Sequence, residues 1–550
     1  MVYSVKVIKD SCSACVLFLQ SYVHLLHSVL SLLFIRHPNH LISKPIDERA
    51  YNEFPIPFPH PPGDLSHHLS RDAREQVPNK IKNVWRMAHA RGLGNVITLA
   101  NGDPHVSLYP IRKVEFEIAA IQGADPVQAW RNGAGPSQII RSSSEPGSLP
   151  LNTALAYGAG AGLGPTLDAL TKLINVFHSP KNHMVTLTLG NSDGITKCFR
   201  MFGDRGDFFL ADELTFSALT NAAIAQGVQW APVKIDEGGL IPDDLERILM
   251  TWNERVQGKR PHVLYTVPCG QNPTGSTLSY ERRRRIYAIA QRYDLIILED
   301  DPYYFLQFDR PDIDESDESF LQNFANSFIP SFLSMDVDGR VLRVDSFSKV
   351  LAPGMRLGTI TSSPAFHKNL IELIDNSTQQ PAGFGQLFVT EMLGERGWAI
   401  NGFAKWVNSL SHEYQRRRNF FLDLFDRKIA PTGYATATAP QAGMFLWIKV
   451  NLERHPKYEK RPDCGDAMPL TNCKALIEDF FARCMDAGLA IMPAPIFLVT
   501  DDPTATAGTG DDHLLDRVNY LRATFAGTED TMEKGLAILE NTLRQFFEEC

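Results

Sequence analysis

Ser346-Phe347-Ser348-Lys349-Val350-Leu351-Ala352-Pro353-Gly354-Met355-Arg356-Leu357-Gly358 is the stretch on which the reading of the chain turns. The apolar run Val341 to Val344 just before it has the length and β-branched content of a buried strand. The loop therefore follows the carboxyl end of a strand, where open α/β sheets bind their ligands. Within eleven residues it carries two hydroxyls, an amine and a guanidinium. Ser346, Ser348 and Arg356 could hold a phosphate while Lys349 forms a Schiff base with an aldehyde. The plainer reading is a polar loop with an exposed lysine.

Working outward, short apolar runs alternate with helical stretches. Val185 to Leu189, Phe208 to Ala211, Val263 to Val267 and Leu295 to Leu298 read as further buried strands, and Asp243 to Arg255 and Tyr280 to Tyr293 as helices. Such alternation implies right-handed crossovers and a mainly parallel sheet covered on both faces, an α/β fold. After about residue 400 the pattern changes. Helical Phe403 to Arg427 is followed by strand-like Met444 to Val450, helical Cys473 to Ala487, strand-like Tyr520 to Phe525 and helical Asp530 to Glu548, a second, smaller α/β domain. Asp309 to Ser319 is acidic and reads as a solvated loop.

Pyridoxal 5'-phosphate has both a phosphate and an aldehyde, and other strand ends suit its ring. Asp300 lies past the strand Leu295 to Leu298, where a carboxylate could pair with a protonated pyridine nitrogen and keep the ring an electron sink. Tyr303 and Asn272, the latter in Asn272-Pro273-Thr274-Gly275 after Val263 to Val267, could hydrogen-bond the ring oxygen. Each segment alone reads as a strand-ending turn. Gly190-Asn191-Ser192-Asp193-Gly194 leads into a helix, whose N-terminal N–H groups make it a second candidate phosphate contact.

Composition bounds the alternatives. The 550 residues, 44% hydrophobic and 21% charged, exclude a disordered or fibrous chain, and a formal charge of -9 gives no general reason to bind nucleic acid. Eight scattered cysteines point to a reducing, cytoplasmic setting, and the Cys12/Cys15 pair lacks the partners of a metal site, so no metal is expected. Residues 1–45 differ from the rest. Their apolar stretch 14–35 reads as a membrane anchor, as an apolar helix packed on the protein, or as an artefact of the gene model. A Pro-rich arm from Phe54 to Pro62 leads out of it.

Taken together with Leu65-Ser66-His67-His68-Leu69-Ser70, Asn101-Gly102-Asp103-Pro104, Glu299-Asp300-Asp301-Pro302-Tyr303-Tyr304 and Phe332-Leu333-Ser334-Met335-Asp336-Val337-Asp338-Gly339-Arg340, the chain from about Ile46 onward resembles the fold-type I, class I aminotransferases. The nearer likeness is to the fungal aromatic-amino-acid and 2-aminoadipate (kynurenine) branch. The resemblance implies Lys349 as Schiff-base lysine, Asp300 as pyridinium partner, and Asn272 and Tyr303 at the ring oxygen. It also implies Ser346, Ser348, Arg356, Asn191 and Ser192 at the phosphate, Phe216 stacked on the ring, Gly102 near the substrate, and Arg522 gripping the substrate carboxylate. Tyr157 would reach the neighbouring subunit's phosphate, which makes the expected assembly a homodimer. Asn191 departs from the Ser of many relatives, and Asn101 from a Gly.

The expected organisation is an extension at 1–45, an arm and part of the small domain at 46–150, a large cofactor-binding domain at 151–400 and a small domain at 401–550. The expected reaction moves an amino group from an aromatic amino acid to 2-oxoglutarate in two half-reactions, with Lys349 transferring the Cα proton. Alternatives are a 2-aminoadipate/kynurenine or biosynthetic-pathway aminotransferase, β-elimination or decarboxylation on the same cofactor, and a membrane-attached binding protein.

Overall fold

The computed structural model describes residues 64–92, 97, 99, 102–122, 125–133, 135–143, 147–462, 469–500 and 513–548. The Cys12/Cys15 pair, the apolar segment 14–35, the Pro-rich arm and Asn101 lie outside them. Among the described residues no helix is long and apolar enough to cross a membrane.

The strands of the main sheets are, in chain order, β1 Lys113–Ala119, β2 Ser137–Ser143, β3 Met184–Thr188, β4 Phe208–Asp212, β5 Gln229–Val233, β6 Val263–Thr266, β7 Ile296–Asp300, β8 Val341–Ser346, β9 Gly358–Ser362, β10 Ala435–Ala437, β11 Phe445–Val450, β12 Met492–Pro493 and β13 Tyr520–Thr524. Seven of them form one sheet in the order β3-β9-β8-β7-β6-β4-β5. The pairs β4·β5, β4·β6, β6·β7 and β7·β8 are parallel, while β9 runs antiparallel between β8 and β3. All five strands read from the sequence are present; β5 and β9 are additional. β5 contains Pro232, which a strand tolerates at a sheet edge, and β5 is the edge. β9 (GTITS) has one large apolar residue, so periodicity misses it; its threonines and serine are nonetheless buried.

Helices pack against this sheet because their apolar residues recur at helical spacing. Helix α1 spans Gly164–His178 and α2 spans Asn191–Phe202. On α2, Ile195, Cys198, Phe199 and Phe202 are all fully buried, and a phenylalanine so placed contributes roughly 1.5–3 kcal/mol through burial. Helix α3, Tyr280–Tyr293, is capped by Ser279 and ends where Asp294 takes a left-handed conformation. The helix expected over Asp243 to Arg255 is two, Pro242–Thr251 and Glu254–Gln257. Asn253 starts the second by accepting the Arg255 N–H, which favours a cap over a continued helix.

The C-terminal residues build a separate antiparallel sheet, β10-β11-β13-β12. Helix α4 (Ala399–Lys428), α5 (Cys473–Asp486) and α6 (Glu529–Glu548) bury Phe425, Phe480, Leu539 and Phe546 in its core. The β1–β2 pair packs Ile118, Ala119 and Ile140 into a cluster with Leu170 of α1, Leu187 of β3 and Phe403 of α4.

Candidate active site

Five connections leave the carboxyl ends of β3, β4, β6, β7 and β8, and Asn191, Ser192, Phe216, Asn272, Tyr303, Ser348, Lys349 and Arg356 lie on or just beyond them. Asp300, the last residue of β7, is buried. Tyr265 Oη donates to its Oδ2 at 2.8 Å, and the Asn191 side-chain amide donates to its Oδ1. Burial pushes the Asp300 carboxyl up to about 6, against the lowering effect of these two donors.

Asn191 opens α2, preceded by Gly190 with φ of 101°, a backbone that L side chains rarely adopt. A Cβ on Gly190 would stand 3.0 Å from Arg356 Nη2, so the guanidinium lies against the helix N-terminus. The two together make a positively charged corner suited to an anion. The Asn191 side-chain amide donates to Asp300 and to the Val344 carbonyl at 3.2 Å, while its backbone stands at the N-terminus of α2. Ser346 Oγ donates to Ser348 Oγ at 2.7 Å and accepts the Ser348 N–H at 3.0 Å, which holds the two hydroxyls together.

Lys349 is part-buried, with Nζ 6.0 Å from the centre of the Tyr303 ring. Burial and then the Arg522 charge lower its pKa, while Asp300 opposes them. A lowered ammonium pKa raises the share of neutral, nucleophilic amine. Burial raises the Tyr303 hydroxyl, so that phenol is a hydrogen-bond donor near neutral pH. Arg522, on β13 of the C-terminal sheet, lies between two rings, 4.4 Å from the centre of Phe445 and 4.8 Å from that of Phe497. Its Nη1 donates to Asn272 Oδ1 at 2.7 Å. The rings and Asn272 fix one orientation of the planar guanidinium.

Phe216 precedes the helix Ser217–Gln226 and is partly buried against the core. Ser192 is exposed in the first turn of α2, and Tyr157 is 69% exposed. Gly102 is exposed, with nothing within 4 Å of where its Cβ would stand. Tyr265, Phe445 and Phe497 were not expected. Tyr265 sits inside a strand read only as buried, and nothing in its neighbourhood in sequence marks a partner 35 residues away.

Beneath the site, Arg343 is buried among three carboxylates, at 2.6 Å from Asp301, 3.0 Å from Asp345 and 3.3 Å from Glu299. Glu299 also accepts the N–H groups of Phe332 and Leu333. This network ties the ends of β7 and β8 to each other, so Asp300 and the Ser346–Lys349 loop keep a fixed separation.

Residues 149–539 match the family model described as aminotransferase class I and II, and the chain belongs to that family. It is an aminotransferase of fold type I, a class that depends on pyridoxal phosphate. Among its relatives, an L-tyrosine:2-oxoglutarate aminotransferase of Tapinella panuoides is 49% identical over 90% of this chain and 98% of its own. An aromatic amino acid aminotransferase of Schizosaccharomyces pombe is 33% identical over 88% of this chain and 99% of its own. The crystal structure of aminotransferase Aro8 from Candida albicans superposes with a TM-score of 0.74 at 29% identity, covering 88% of this chain and 99% of that one.

Proposed function

We propose that this enzyme uses pyridoxal 5'-phosphate to move the amino group of an aromatic L-amino acid, tyrosine foremost, to 2-oxoglutarate. The donor set fits that cofactor. Asn191 and Tyr265 hold a buried carboxylate, Asp300, that would suit a protonated pyridine nitrogen, and Arg356 with the α2 N-terminus offers charge for a phosphate. When bound, the cofactor supplies an aldehyde that links to an amine and a ring that takes up electrons as the Cα–H bond breaks.

The chain's own residues do the rest. Ser346, Ser348, the Ser192 turn and Arg356 hold the phosphate, Asn272 and Tyr303 donate to the ring oxygen, and Phe216 covers the ring. Asp300 keeps its negative charge opposite the ring nitrogen. Lys349, whose share of neutral amine rises because burial lowers its pKa, would move the proton at the substrate Cα. Arg522 grips the α-carboxylate of the amino donor and then that of the oxo acid, with Gly102 beside the substrate. In this reading residues 151–400 carry the cofactor and 401–550 bring Arg522. The exposed Tyr157 serves the phosphate of a second copy, so the working unit is a homodimer.

The observation that carries the reading is Arg522, presented by the C-terminal sheet between Phe445 and Phe497 and bonded to Asn272 in the connection after β6 of the large sheet. The 49% identical tyrosine aminotransferase supports the choice of donor. A donor panel (tyrosine, phenylalanine, tryptophan, kynurenine, 2-aminoadipate, alanine) with 2-oxoglutarate tests it. Aromatic donors are expected to give glutamate and the oxo acid in equal amounts. Preference for 2-aminoadipate, or release of ammonia or CO₂ without glutamate, refutes it, as does full activity in Lys349→Ala.

A further inference from the structure

At the opposite end of the large sheet, where β4, β6 and β7 begin, lies a cluster that the aminotransferase site does not use. His67 and His68 end a short 3₁₀ turn, Ser66–His68, and face Asp294 at the end of α3. His67 Nε2 is 2.6 Å from Asp294 Oδ2, and His68 Nε2 is 3.2 Å from Asp294 Oδ1. One ligand atom from each of the three residues lies within 4.8 Å of the other two. On its other side, His68 Nδ1 is 3.1 Å from His262 Nδ1, and His262 Nε2 is 3.6 Å from Asp207 Oδ2.

Two ring nitrogens 3.1 Å apart need one proton between them, and two neutral imidazoles own one proton each. A single proton is left for two outer nitrogens that both face carboxylates. With that proton on His262, His68 Nε2 points a lone pair at Asp294 Oδ1, which is repulsive unless a cation lies between them. His68 is 3% exposed, and its Nε2 makes no well-aligned hydrogen bond. Its 3.2 Å spacing from the oxygen matches the edge of a tetrahedron with metal–ligand bonds of ~2.0–2.1 Å.

We propose that His67 Nε2, His68 Nε2 and the Asp294 carboxylate form a site for a zinc-class divalent cation, with water in the fourth position. Two neutral imidazoles and a carboxylate are the ligands such ions take. His262 holds His68 in the tautomer that leaves Nε2 free to ligate, the usual part of an outer partner. Arg340 Nη1 lies 3.6 Å from Asp294 Oδ1, but its charge is matched by Asp338, 3.0 Å from Nε. His67, part-exposed, is the side from which an ion enters, and its Nε2 proton leaves to solvent as the ion binds. The ion fastens the segment beginning at Leu65 to the base of β6 and β7.

The test loads the full-length holoenzyme with Zn²⁺ or Co²⁺, dialyses it against metal-free buffer and measures bound metal by mass spectrometry. Thermal unfolding is followed with and without chelator. Wild type is expected to keep one ion per chain, to show cobalt absorption bands in the visible, and to lose melting temperature on chelation. His67→Gln and Asp294→Asn should lose the ion and the chelator effect while keeping transaminase activity, and His262→Asn should weaken binding about 10- to 100-fold. Wild type holding no more metal than the two ligand variants, with chelator shifting none of them, overturns the proposal and leaves a histidine–carboxylate latch. Equal ion retention in wild type and His67→Gln overturns it as well.

Discussion

Removing the Asn191 side chain tests how the site holds its central carboxylate. Asp300 has two side-chain donors, Tyr265 on one oxygen and Asn191 on the other, and burial has already pushed its pKa up to about 6. A hydrogen bond to an ionised group is worth ~1.5–3 kcal/mol, and one pKa unit is about 1.4 kcal/mol, so Asn191→Ala raises Asp300 by about one to two units. The sign follows from the chemistry: the amide stabilises only the carboxylate form, so its loss favours the protonated acid. A protonated Asp300 cannot balance a positive ring nitrogen.

The acid limb of the kcat profile should therefore move up by about one unit, and cofactor affinity near neutral pH should fall about tenfold. Asn191→Asp, which sets a like charge beside Asp300, should do more. The assays are a pH profile with tyrosine and 2-oxoglutarate and a cofactor titration of the apoenzyme. An unmoved acid limb together with unchanged cofactor affinity in Asn191→Ala would refute the assignment of Asn191 to Asp300. A fall in affinity without any shift in the profile would instead return Asn191 to the phosphate.

Two further outcomes follow from the same geometry. Arg522→Lys keeps the charge but loses the planar fork held between Phe445 and Phe497; kcat/KM should drop about 10- to 150-fold, mainly through KM, with bound-cofactor absorbance intact. An equal loss of cofactor would contradict a substrate role. His178 is fully buried, and burial, with Arg343 and Arg283 nearby, holds its pKa well below the ordinary 6.5. The unfolded chain takes up this proton below pH 6.5 and the folded one does not, so its contribution is present above that pH and is lost as pH falls. The loss approaches about 1.4 kcal/mol per pH unit, and urea unfolding at pH 7, 6 and 5 should show a shallower decline in His178→Gln than in wild type; parallel slopes would refute it.

The fold was legible where one period dominates. Buried strands such as Val263–Thr266 are continuous apolar runs, and each is followed by a residue with chemistry, so Asn272, Asp300 and Lys349 could be placed at strand ends. What stayed hidden depends on partners far apart in sequence. Asn191 and Asp300 are 109 positions apart, and no local rule says that an amide at the start of α2 should turn from an anion to a carboxylate. The stretch Phe332 to Arg340 could be read only as a likeness; its reason is a turn in which Asp336 accepts the N–H groups of Gly339 and Val341 and so starts β8. The chain's overall charge of -9 was equally silent. Arg356 gains its value for an anion by lying against Gly190 at the head of α2, and Arg522 by the two rings around it, so the electrostatics of this enzyme belong to contacts rather than to composition.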